Sequence, residues 1–339
     1  MSVNIIQGDC RESLKTLPES SVHCVVTSPP YFGLRDYGHE RQIGLETTPD
    51  AYIAQMVEVF REVGRVLRDD GTLWLDLGDS YNAAGRTGHR SRHGSKQETN
   101  RASATQADNC RPNSDYLKPK DLLGIPWRVA LALQADGWYL RQDIIWHKPN
   151  AMPESVTDRC TKAHEYVFLL SKSEMYYFDN DAIKERATGK SPGNLNHKGK
   201  AAYEAGDEFQ RTKAGLTNIG PVERRNRRSV WTVTTKPFKG AHFATFPPDL
   251  IQPCILAGCP RGGTVLDPFG GAGTTGLVAE RLGRNSILIE LNDEYCQMAR
   301  DRIAAEMGRV ELPATDWLHK QQAILPKADN DQADLFGAA

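Results

Sequence analysis

Three features of this sequence predict an α/β fold built on a doubly wound, mainly parallel sheet. Apolar runs of strand length alternate with segments of helical period. Several of those runs end in polar or glycine-rich turns, and the intervening helices are amphipathic, with one face to bury. At 339 residues the chain can form one large domain with insertions, or two domains.

The chain opens with Val3-Asn4-Ile5-Ile6, a strand that runs through Gly8-Asp9-Cys10 into a short helix from Arg11 to Leu17, which Pro18 stops. A second strand, Val22 to Val26, leads into Thr27-Ser28-Pro29-Pro30-Tyr31. After a loop from Phe32 to Glu46, an amphipathic helix is expected from about Pro49 to Leu67, with Asp50 near its start and Asp69-Asp70-Gly71 closing it. Thr72 to Leu77 is the third strand. Asp121 to Ala135 returns to helical spacing, and Tyr139 to Trp146 and Glu165 to Leu170 read as two more strands, joined by the proline-containing loop His147 to Cys160. Near the end, helices are expected over Pro247 to Cys259, Thr274 to Leu282 and Asp293 to Met307, with strands at Thr264-Val265-Leu266 and Ser286 to Ile289.

Two stretches interrupt this pattern. Between Tyr81 and Lys120, Gly, Ser, Thr and Asn dominate around Arg86, Arg90, Arg92, Lys96, Arg101, Arg111 and Lys118. Such a stretch cannot build a core. It suits either a solvated insertion or a loop that orders on a phosphate backbone. From Ala182 to Lys239, a basic segment that includes Arg224, Arg225, Arg227 and Arg228 is interleaved with Tyr203, Phe209, Trp231 and Phe238. Phosphate neutralisation and base stacking need this pairing, so the segment is expected to touch nucleic acid through those four arginines and Trp231, with an ordinary exposed insertion as the alternative. The organisation is therefore 1–81, a basic insertion 82–120, further strands 121–181, a basic region 182–239, a glycine-loop half 240–310 and a polar tail 311–339.

Charge and cysteine content set outer bounds. A formal net charge of −1 carries no global signature of a nucleic-acid binder and says nothing against one, because affinity follows where basic residues cluster. The seven cysteines are scattered and form no C-x-x-C pair, which indicates neither a disulfide framework nor a metal site. With no leader-like amino terminus and no apolar run of spanning length, a cytoplasmic, nucleoid-associated protein is expected.

Thr27 to Tyr31 is the first stretch with chemical content. Its two prolines stiffen the backbone, remove two N–H donors and hold Ser28 extended, which leaves carbonyl acceptors beside an aromatic ring. Such a loop can grip an exocyclic amino group on a planar base stacked against Tyr31, or it can be a stiff turn with a core tyrosine. The second is Asp267-Pro268-Phe269-Gly270-Gly271-Ala272-Gly273-Thr274-Thr275-Gly276, a G-x-G-x-x-G turn between a strand and a helix. Glycines there permit close approach to a ligand, and Glu290, about twenty residues on, can bond a ribose. No Lys-Ser or Lys-Thr follows the glycines, so this is no phosphate-binding P-loop. The loop points to a nucleoside cofactor without saying which.

Together, in this order, the two loops resemble the amino-methylating DNA methyltransferases of the permuted beta class. The likeness runs from residue 1 to about 310 and includes Trp146-His147-Lys148-Pro149 and Trp231 to Pro247. It implies a Rossmann-like, S-adenosylmethionine-dependent methyltransferase fold with circularly permuted motif order, acting on double-stranded DNA by base flipping. By the same resemblance, Asp267, Pro268, Phe269, Gly271, Gly273, Thr274 and Thr275 wrap the methionine portion of S-adenosylmethionine and Glu290 takes the ribose hydroxyls. Asp9, with Cys10 beside it, meets the adenine, and Phe246 belongs to the segment that closes the cofactor site. Ser28, Pro29, Pro30 and Tyr31 form the catalytic loop. Serine at the head of that loop resembles the N4-cytosine enzymes, whereas aspartate or asparagine is usual for N6-adenine ones. No cysteine nucleophile and no metal are called for.

Other classes explain part of the pattern. A nicotinamide dehydrogenase would account for the glycine loop and Glu290 but not for Thr27 to Tyr31. A protein or RNA methyltransferase would use both loops, and a DNA-binding module without activity would use only the basic segments. In the tail, Gln332, Leu335 and Phe336 resemble a sliding-clamp docking peptide, with a solubilising tail as the alternative. A homodimer is the further assembly considered.

Overall fold

The computed structural model describes residues 2–82, 117–187, 223–235 and 245–307. Strands β1 (Val3–Gln7), β2 (Val22–Thr27) and β3 (Leu67–Leu77) alternate with helices α1 (Cys10–Ser13) and α2 (Pro49–Val66). Then come α3 (Ile125–Ala135), β4 (Tyr139–His147), β5 (His164–Ser171) and α4 (Asn180–Ile183). Short strands β6 (Glu185–Arg186), β7 (Arg224–Arg225) and β8 (Val230–Thr232) follow. The glycine-loop half consists of α5 (Pro248–Gly258), β9 (Thr264–Asp267), α6 (Thr274–Arg281), β10 (Asn285–Glu290) and α7 (Asp293–Met307).

The main sheet has the order β1-β10-β9-β2-β3-β5-β4-β8. All neighbouring pairs are parallel except those made by β5, which runs against both β3 and β4. Strand alternation explains why helices cover both faces. Leu73, Leu75 and Leu77 pack with α2 and α3 on one side, while Trp74 packs with α5 on the other. The last strands of the sequence, β9 and β10, are inserted between β1 and β2. Both ends of the chain therefore build the same part of the sheet.

Several boundaries differ from the expectation, among them the end of α2 and the start of α3. Asp69-Asp70-Gly71 lies inside β3 rather than closing α2, at a register shift opposite Val22 and Cys24. The helix in the next segment starts at Ile125 instead of Asp121, because Gly124 takes a left-handed φ of 67° and Pro126 suits the first turn. Among the described residues no helix is long and apolar enough to cross a membrane, and no group of His, Cys, Asp or Glu could hold a metal ion.

Candidate active site

Four adjacent strands end at one cavity of about 820 Å³. Gly8 and Asp9 follow β1, Ser28 to Tyr31 follow β2, Pro268 and Phe269 follow β9, and Glu290 ends β10, all lining that space. This is the carboxyl edge of a doubly wound sheet, where ligands bind. The reversal of β5 adds an amino-end residue to the same edge: Glu165 pairs with Trp146 near the end of β4 and lines the cavity too.

The two halves are locked beneath the cavity floor. Asp267 is 1% exposed and accepts hydrogen bonds from the Thr27 hydroxyl (2.6 Å), the Thr275 hydroxyl (2.6 Å) and the Phe269 N–H (3.1 Å). Burial pushes its carboxyl up to about 6, and those three donors oppose the shift. Gly273 holds a left-handed φ of 76°, where an added Cβ would lie 2.8 Å from Ala299 Cβ. Arg302 donates to Thr274 Oγ1 at 2.9 Å. Asp267, Gly271, Gly273, Thr274 and Thr275 thus shape the loop from behind, while Pro268 and Phe269 face the cavity.

At the end formed by β1 and β10, Glu290 accepts the N–H groups of Gly271 (2.8 Å) and Asn292 (2.9 Å). Burial raises its pKa, against the pull of those amides. Each oxygen keeps a further lone pair for a hydroxyl. Asp9 caps α1 through the Arg11 N–H (2.9 Å) and pairs with the Arg11 (2.6 Å) and Arg41 (3.2 Å) side chains. Burial alone would raise its pKa, but the hydrogen bonds and charge of Arg11, with Arg41 behind, hold it below the ordinary value. The thiol of Cys10 is buried and pushed up to about 12, so it is no nucleophile at neutral pH. Phe246 also lines the cavity; the preceding residues 241–244, including His242 and Phe243, lie outside the described residues.

The opposite end carries a network that the sequence motifs do not name. Tyr31 donates to Glu165 Oε2 at 3.0 Å, and the Ser28 hydroxyl lies 3.4 Å from the Tyr31 oxygen. Glu165 also pairs with Lys148, whose ammonium sits 4.1 Å from the centre of the Trp146 ring. Asp76, 3% exposed, faces the cavity with Oδ1 lacking a hydrogen-bond partner. Burial and then the Glu165 charge push its pKa well up, with Lys148, Ser28 and Tyr31 opposing. The loop from Ser28 to Tyr31 is itself pinned, because Tyr52 donates to the Pro30 carbonyl at 2.8 Å. Asp76 left one sequence signal, an isolated carboxylate inside the apolar run Leu73-Trp74-Leu75-Asp76-Leu77. Glu165 left none, since only the direction of β5 brings it here.

The basic segment needs correction. Trp231 is 4% exposed, packs against Trp74 with ring centroids 6.4 Å apart, and donates to the Arg228 carbonyl at 2.8 Å. It is a core residue on β8 and cannot stack on a base. Arg227 lies 4.6 Å from the Trp231 ring centre, and burial lowers its pKa. Arg225 and Arg228 both donate to Glu185 Oε1 at 2.8 Å, and Arg224 bonds the Asp181 carbonyl at 3.0 Å. Of these four, Arg224 and Arg228 are exposed and can meet a phosphate. Tyr203, Phe209 and Phe238 lie outside the described residues.

Compared with known proteins, residues 22–301 match the DNA methylase family profile. The chain is 48% identical over 307 residues to the type II methyltransferase M.XycI of Xanthomonas campestris pv. cyanopsidis, covering 90% of this chain and 89% of that protein. It is 47% identical over 302 residues to the type II methyltransferase M.SmaI of Serratia marcescens, covering 89% and 91%. Among solved structures, PvuII DNA methyltransferase (cytosine-N4-specific) aligns with a TM-score of 0.60 at 19% identity, over 94% of this chain and 92% of that one. The M1.HpyAVI–SAM complex aligns at 0.50 and 18% identity, over 89% and 98%. These two likenesses show a shared fold.

Proposed function

This chain belongs to the N6/N4 DNA methylase family, and from that premise we propose that it methylates the exocyclic N4 of cytosine in double-stranded DNA by base flipping, with S-adenosylmethionine as donor. The observation that carries the proposal is one cavity holding Ser28, Tyr31 and Asp76 at one end and Glu290 with Phe269 at the other. Its volume is in the range of small-ligand sites. Glu290 and Phe269, with Phe246 and Asp9, suit the cofactor's ribose and adenine; when bound, S-adenosylmethionine supplies an electrophilic methyl group on a sulfonium.

The remaining chemistry falls to this chain's own residues. An aromatic amino group is a poor nucleophile because its lone pair is delocalised into the ring. The Ser28 hydroxyl oxygen and the Pro29 carbonyl accept its two hydrogens and draw the nitrogen towards a pyramidal shape, while the pinned loop orients it. Methyl transfer leaves one N–H proton in excess. Asp76 in its ionised form, beside Ser28 and with one oxygen unpartnered, is the acceptor for it. Lys148 neutralises Glu165, so that the two carboxylates can share this small space.

Serine at the head of the loop favours cytosine over adenine, and the name of the PvuII neighbour, cytosine-N4-specific, is in keeping with it. Its type II relatives suit a role in restriction–modification. The test is methyl transfer from tritiated S-adenosylmethionine to DNA, followed by nucleoside analysis. Label in N4-methylcytosine is expected, and label in N6-methyladenine would reject the assignment. Clamp docking through Gln332, Leu335 and Phe336 belongs to the same proposal, although those residues lie outside the described ones. Capture by the clamp that survives Leu335→Ala and Phe336→Ala would remove it. A homodimer is checked by sedimentation.

A further inference from the structure

Building on the base-flipping reading, we propose that Met152 is the side chain that enters the DNA helix and fills the gap left by the extruded cytosine. Single exposed apolar side chains are ordinary on protein surfaces, so exposure alone assigns nothing. Position separates this one from the rest. Among the described residues, Leu34 and Met152 are the exposed large hydrophobics that also line the catalytic cavity, and Met152, at 83%, is the more exposed.

Its mounting is the second observation. The Asn150 amide clamps Thr235 from both sides, accepting its N–H and donating to its carbonyl, each at 3.0 Å. The backbone N–H of Lys148 bonds the Ala163 carbonyl at 2.8 Å, and that of Ala151 bonds the Lys148 carbonyl at 3.2 Å. Pro149 and Pro153 restrict the chain on either side. A side chain left in water thus stands on a backbone held in place. Its place is the target end of the cavity, since Lys148, four positions earlier in the sequence, pairs with Glu165, the acceptor for Tyr31.

Extruding a base leaves a slot between two neighbouring base pairs. Apolar wedges fill such slots, and methionine, unbranched and polarisable, adapts to an irregular one. Leu34, on the loop just after Tyr31 with its backbone N–H on the Tyr31 carbonyl at 3.3 Å, is roughly half as exposed, at 44%, and so offers less side chain to a slot between base pairs.

The test compares two duplexes carrying the enzyme's own site, located by methylation-sensitive sequencing. One is fully paired, and the other has an abasic residue opposite the target cytosine, which is then already unpaired. Met152→Ala should lower kcat/KM about tenfold or more on the paired duplex yet stay within about threefold of wild type on the abasic one, because the wedge assists only extrusion. Met152→Leu should keep most of the activity on both. An equal fall on both duplexes, or no fall on either, would overturn the inference. Wild-type protein that methylates neither duplex would instead bring down the underlying functional reading, a result distinct from any effect of the substitution.

Discussion

Thr27 and Asp267, separated by 240 positions in sequence, are joined by a 2.6 Å hydrogen bond from hydroxyl to carboxylate. The bond ties the strand before the Ser28 to Tyr31 loop to the strand before the glycine loop. Thr27→Val should destabilise the fold by about 1–3 kcal/mol, the usual effect of taking one partner from a buried acceptor. Asp267 also sets a pH signature. Its folded pKa of about 6 lies above the ordinary 3.8. Its contribution to stability is therefore full below about 3.8 and lost as pH rises through about 6. Denaturant titrations across that interval should show this slope in the wild type and lose it in Asp267→Asn.

Ser28→Ala removes an acceptor for the target amino group while leaving the cofactor end untouched. We expect turnover to fall by about a hundredfold or more with the S-adenosylmethionine dissociation constant unchanged. Single-turnover methyl transfer and isothermal titration calorimetry separate the two. Unchanged turnover would mean that the loop only stiffens the chain.

Asp76 must be ionised to take a proton, and its pKa is raised by burial beside Glu165. The rate should therefore fall as pH falls through that raised value, and Asp76→Asn should be both slow and free of that acidic limb. A pH profile of kcat checks this, with circular dichroism to show that the variant is folded.

Gly78 has no room for a side chain. A Cβ there would run into the Tyr31 ring and come within 3.1 Å of Glu165 Oε1. Gly78→Ala should lower kcat by about tenfold through a displaced Tyr31, with the cofactor affinity retained.

Trp231 distinguishes a core residue from a stacking platform. Trp231→Ala should cost about 3–5 kcal/mol of stability, as expected for emptying a buried site. Its effect on DNA affinity should appear only where the fold is compromised. Thermal melts compared with binding isotherms at low temperature provide the measurement.

Much of the fold was legible because strand and helix periods are local properties. The predicted strands at Val3 to Ile6, Val22 to Val26 and Thr264 to Leu266 lie within β1, β2 and β9. The order of the two loops, through the family resemblance it carries, also pointed to a permuted sheet. Trp231 misled for the opposite reason: a tryptophan among arginines looks the same in sequence whether it pairs into a sheet edge or faces a base.

By itself, then, the sequence determined the α/β class, the glycine loop with its acid and the proline-stiffened loop, since each depends on residues close together along the chain. Tertiary structure alone decided that Asp76, Lys148 and Glu165 meet Ser28 and Tyr31. The reversed direction of β5 carries its first residues to the edge where the other strands finish. Strand direction is set by long-range pairing, and no local pattern encodes it.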